Sequence, residues 1–121
     1  MMQSRRSIAG LVLLVLVVAA AAQWWAGHNQ ARLGERMAAL ARPGDIRMLS
    51  SRSCAFCTAA RQWMRQHGVG FSECFIEADE ACAAQFEAAR APGTPLLLAR
   101  GQVQVGFDAQ RVLDSLGQPA S

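Results

Sequence analysis

Asp45-Ile46-Arg47-Met48-Leu49-Ser50-Ser51-Arg52-Ser53-Cys54-Ala55-Phe56-Cys57-Thr58 is the segment around which the rest of the chain can be organised. Ile46 to Leu49 predicts a short strand, and the polar run from Ser50 to Ser53 leads off it. Thr58 to His67 then predicts a helix closed by Gly68. Two cysteines therefore stand where a strand gives way to a helix. Backbone N–H groups at a helix start lack intrahelical partners and, with the helix dipole, favour negative charge. A thiol held there ionises more readily, and the thiolate is the nucleophile of disulfide exchange. Cys57, about one turn further on, faces Cys54 and can displace a mixed disulfide. Cys54 is thus the expected attacking sulfur and Cys57 the resolving one, with Arg52 adding positive charge nearby.

Downstream, Val69 to Ile76 predicts a second strand and Glu80 to Arg90 an alanine-rich helix with Cys82, Phe86 and Ala89 on one stripe. The turn Ala91-Pro92-Gly93-Thr94-Pro95 precedes an apolar strand, Leu96 to Ala99. Arg100-Gly101-Gln102 then turns tightly into the alternating Val103-Gln104-Val105, which makes a hairpin. Asp108 caps a last helix that buries Val112, Leu113 and Leu116. The order β-α-β-α-β-β-α requires a right-handed parallel crossover followed by antiparallel strands in the same sheet. The expected fold is an α/β sandwich with a four-stranded mixed sheet and helices on both faces.

These residues carry a family resemblance. Residues 45–118 resemble a glutaredoxin-type member of the thioredoxin superfamily. Cys54-Ala55-Phe56-Cys57 lies on the strand-to-helix loop, with Phe56 where glutaredoxins usually have an aromatic, and Thr94-Pro95 matches the superfamily's cis-proline site. A cis X–Pro bond is only mildly costly, so a fold can keep one. The resemblance implies a thioredoxin-like fold and a thiol–disulfide oxidoreductase with Cys54 and Cys57 as catalytic residues. It further implies that Phe56, Thr94 and Pro95 meet an extended substrate. Protein dithiols or disulfides, or glutathione, are the implied partners, with no resident cofactor and glutathione a candidate co-substrate. The chain also departs from the family. Many glutaredoxins show a Gly-Gly pair, a small residue and Asp, whereas this stretch is Val105-Gly106-Phe107-Asp108; the proline and lysine common around the cysteines are absent.

On the second strand Ser72, Cys74 and Ile76 share one face, and Cys82 lies on the buried stripe of the next helix. Packing of that helix on that face brings Cys74 and Cys82 together, and in an oxidising compartment they form a structural disulfide. Closing so short a loop stabilises by roughly 2–3 kcal/mol in the chain-entropy treatment. Two buried free thiols, or a second redox pair exchanging with Cys57, are the alternatives.

Upstream, Ile8 to Ala22 contains no polar residue, and with Gln23 to Gly27 the run is long enough to cross a bilayer as a helix. Arg5 and Arg6 hold the amino terminus on the cytoplasmic side, and Trp24-Trp25 suits the far interface. Residues 1–7 are then a cytoplasmic terminus, 8–27 a transmembrane signal anchor, and 28–44 a stalk helix or linker with Leu33, Met37 and Leu40 at helical spacing. Ala20-Ala21-Ala22 would equally serve as the cleavage site of a signal peptide. Either way the domain lies outside the cytoplasm, in the periplasm of a Gram-negative cell.

All 12 basic residues are arginine. Beyond Arg5 and Arg6 they are scattered among nine acidic residues, which leaves no basic footprint for nucleic acid. Two rival functions stay open. Four cysteines match the count of a closed zinc site, or a copper site, although the separation of Cys74 from Cys82 is poor for metal and no metal is expected. A redox-inactive, thioredoxin-like interaction domain is the other. His28, beside the membrane, and His67, at a helix end, are expected to face solvent, and neither pairs with a cysteine as a protease would need.

Overall fold

The computed structural model describes residues 2–117. It divides into two compact units, the first ending at Arg32 and the second beginning at Leu33. The first is most of helix α1 (Met2–Leu40), whose side chains up to Arg32 are all exposed. Trp24 and His28, one turn apart, stack with ring centroids 5.4 Å apart. By length and composition this helix is a candidate membrane span or signal sequence.

The second unit contains the end of α1, then β1 (Ile46–Ser50), α2 (Ala55–Gln66), β2 (Ser72–Phe75), α3 (Glu80–Ala88), β3 (Leu96–Ala99), β4 (Gln102–Val105) and α4 (Ala109–Leu116). The sheet runs β2-β1-β3-β4. The β1–β2 pair is parallel, with Leu49 opposite Cys74, and the other pairs are antiparallel. This is the expected α/β, thioredoxin-like mixed sheet.

One face of the sheet meets the end of α1, α2 and α4 through Leu33, Met37, Met48, Met64, Leu97, Val112 and Leu116. The other meets α3 through Leu49, Leu96 and Cys82, with Cys74 and Phe86 packed alongside. Helices therefore cover both faces. Of the apolar positions expected in a stalk, Leu33 and Met37 belong to the core while Leu40 is exposed. Burying a side chain of that size stabilises by about 1.5–3 kcal/mol, so the end of α1 is held as part of the folded unit.

Element boundaries differ from the sequence expectation for identifiable reasons. The second strand starts at Ser72 rather than Val69 because the Val69 N–H bonds Met64 O while Gly68 N–H bonds Arg65 O. Those two bonds, with Gly68 at φ +67°, close α2 in a Schellman motif, so Val69 packs on Met64 and is not free to pair in the sheet. The next helix ends at Ala88, two residues short of Arg90, which takes φ +52° as the chain reverses. Ala89 is consequently exposed and drops out of the expected stripe.

The β3–β4 hairpin turns through Arg100 at φ +48° and Gly101 at φ +84°. Both signs are those of the tight turns whose twist suits paired strands. Arg100 is unusual there, and its side chain is well occupied. The guanidinium contacts Asp45 and the carbonyls of Leu40 and Leu116, tying together the ends of α1 and α4 and the start of β1.

Candidate active site

Cys54 is the N-cap of α2, with extended backbone (φ −114°, ψ 105°), so α2 begins at Ala55, before the expected Thr58. Its Sγ accepts a hydrogen bond from the Cys57 N–H at 3.0 Å, in the way an oxygen-bearing N-cap satisfies a free donor. Cys54 and Cys57 are joined as a disulfide with Cα atoms 5.2 Å apart. Cys57 is fully buried, whereas Cys54 is half-buried. One sulfur is therefore approachable and the other is shielded.

Phe56, between them, is 78% exposed, an unusual position for a large apolar ring. The Thr94–Pro95 peptide is cis. Leu49 pairs with Leu96, so the antiparallel register carries Pro95 to the end of β1 that leads to Cys54. Pro95 is buried and its carbonyl accepts the Gly106 N–H at 2.8 Å, which leaves half-buried Thr94 at the rim. The cysteine loop and the proline turn thus lie at the same end of the two inner strands, β1 and β3.

Two carboxylates not singled out in the sequence support this end of the sheet. Glu77 accepts hydrogen bonds from the Ser51 hydroxyl and the Arg52 N–H, clamping the loop before Cys54. The Ser51 hydrogen bond is the main reason its carboxyl lies below the usual range. The carboxylate also sets negative charge beside Arg52, whose own side chain is exposed. Glu73 is gripped by Arg61 (Nε–Oε1 2.7 Å, Nη2–Oε2 2.8 Å) and by the buried Ser50 hydroxyl at 2.7 Å. Burial alone would push Glu73 up, but the hydrogen bonds from Arg61 and Ser50 outweigh it and hold the carboxyl low. Arg61 follows Cys57 by one helical turn. A signal for Glu73 was present, since it is a charge flanked at alternate positions by Phe71 and Phe75. Glu77 had none.

Cys74 and Cys82 are bonded, with Cα atoms 6.1 Å apart and a sequence separation of 8. In the structure all four cysteines are thus taken up by two bonds. Asp108 caps α4, accepting the N–H groups of Gln110 and Arg111. His67, expected to face solvent, instead packs its ring 4.4 Å from that of Trp63 and lies against Gly34.

Residues 46–103 match the glutaredoxin family. No curated protein matches the chain at a significant level. Among solved structures, a mutant of the thioredoxin-like protein BC3987 aligns with TM-score 0.55 at 19% identity, covering 61% of this chain and 96% of its own. Glutaredoxin (grx-1) from Archaeoglobus fulgidus aligns with TM-score 0.50 at 13% identity, covering 64% and 91%. A mutated buckwheat glutaredoxin also reaches 0.50 at 13% identity, covering 74% and 93%. These structural likenesses establish the fold, and the family match adds a role in thiol–disulfide chemistry.

Proposed function

We propose that this chain, a glutaredoxin-like member of the thioredoxin superfamily through residues 46–103, exchanges disulfides in the cell envelope with Cys54 as nucleophile and Cys57 as resolving thiol. The observation that carries the reading is the Cys54 sulfur at the start of α2, half-open and hydrogen-bonded to the Cys57 N–H. That donor, together with the helix dipole, favours the thiolate over the thiol.

In the reductive direction, the Cys54 thiolate attacks one sulfur of a substrate disulfide and the other sulfur leaves as a thiolate. Cys57, deprotonated, then attacks Sγ of Cys54. The bond to the substrate breaks, the substrate's remaining sulfur departs as a thiolate, and the Cys54–Cys57 disulfide closes. Both departing thiolates take protons from water. The reverse sequence oxidises a dithiol. Burial of Cys57 suits its part, because the sulfur within its reach is Sγ of Cys54 and not that of a free substrate.

A protein chain is the favoured substrate, with Thr94, just before cis-Pro95, offering backbone near Cys54 and Phe56 an apolar surface. Glutathione is the second reading. Asp108 is the residue nearest to the family's glutathione pattern, but its carboxylate is engaged as the α4 cap. The apolar helix of the first unit supports an envelope location, as a membrane anchor or a signal sequence.

The test is a trapping experiment. Cys57→Ser should accumulate a mixed disulfide between Cys54 and a disulfide substrate, while Cys54→Ser should abolish both trapping and turnover. Trapping through Cys57 in the Cys54→Ser chain would reverse the assignment.

A further inference from the structure

The second disulfide has surroundings that a purely structural bond does not need. The Arg47 guanidinium on β1 donates to Sγ of Cys74 at 3.6 Å. Cys74 is half-buried, so that sulfur lies on the accessible side of the bond. Cys82 is fully buried and is the third residue of α3, inside its first turn. A cation against one sulfur and a helix start around the other are the two settings that most stabilise a thiolate. Asp79, which accepts the Cys82 N–H, and Glu80 add negative charge to that turn, so Arg47 is the stronger influence. Packing on Leu49 and Leu96 would by itself suffice for a staple.

We propose that Cys74–Cys82 is a second exchangeable disulfide, opened at Cys74 by an external protein dithiol. The donor's thiolate attacks Sγ of Cys74, the S–S bond breaks, and Cys82 leaves as a thiolate within the first turn of α3. The donor's second thiolate then attacks its own partner sulfur in the mixed disulfide, and Cys74 leaves as a thiolate against Arg47. Two electrons and two protons pass from the donor, which becomes a disulfide, to the Cys74/Cys82 pair, which becomes a dithiol. The domain thereby carries a second electron pair, held apart from the one at Cys54.

The test uses the full chain in detergent with Cys54→Ser and Cys57→Ser, so that only the second pair is counted and the result is independent of the first site. The protein is equilibrated across ratios of reduced to oxidised dithiothreitol without denaturant, then alkylated and weighed. The bond should open and close reversibly. Arg47→Gln should raise the ratio needed for half-reduction by about tenfold, the loss expected for one charge-assisted hydrogen bond to the product. Arg47→Lys should recover most of that shift. Circular dichroism checks that each variant is folded. A bond that stays closed at every ratio until the protein is unfolded would overturn the proposal, as would an unchanged midpoint in folded Arg47→Gln.

Discussion

Glu73 sits on a strand between two aromatic neighbours, yet it is ionised and triply held. Its side chain keeps only 12% of its exposure, and Arg61 keeps 19%. The pair is therefore less screened than a surface ion pair, and each partner would be costly to leave alone. Because Arg61 and Ser50 hold the folded carboxyl below its ordinary value, the unfolded chain binds more protons at mildly acidic pH. The resulting stabilisation is fully present above the ordinary carboxylate value of about 4.3 and fades as pH falls through the lowered folded value. Glu73→Gln should cost on the order of 1–3 kcal/mol at pH 7 and should flatten the loss of stability between about pH 5 and 3. Denaturant melts at pH 7, 5 and 3 check this. An equal loss at all three would mean that the charge is not what Glu73 contributes.

At the scale of elements, the end of α1 is docked through Gly34, and His67 explains why that position lacks a side chain. A Cβ at Gly34 would collide with Cβ, Cγ and Nδ1 of His67, near the root of a side chain already packed on Trp63. Alanine favours helix over glycine by about 1 kcal/mol, but overpacking costs about 1–3 kcal/mol. Gly34→Ala should therefore lower the Tm by a few degrees, and His67→Ala should remove that penalty in the double variant. A higher Tm for Gly34→Ala alone would contradict the docking. The periodicity of Leu33 and Met37 was visible in sequence, but their destination was not, since an apolar stripe does not say which surface it covers. The same limit applies to Val69. Its β-branched side chain suggested a strand, and only the closing bonds of α2 reveal that its N–H is already engaged. The order of strands and helices was legible because hairpin, caps and cysteine loop each carry local chemistry. Glu77 and Arg47 were not, because their partners come from distant parts of the chain.

For the whole molecule, a small domain gathers two segments distant in sequence at one end of the inner strands of its sheet. Residues 50–57 carry the end of β1, Cys54 and the N–H that Cys54 accepts, and the turn before β3 brings Thr94 and cis-Pro95 to the same end of the sheet. The result should be a Cys54 sulfur that ionises readily and is more approachable than its buried partner Cys57. The direct measurement is the pH dependence of iodoacetamide alkylation at Cys54, followed by mass on the reduced full-length protein in detergent. An ordinary cysteine ionises near pH 8.5. Cys54 should react with a midpoint below about 7.5 and ahead of Cys57 at every pH. A midpoint at or above that of a free cysteine, or faster reaction at Cys57, would contradict the account.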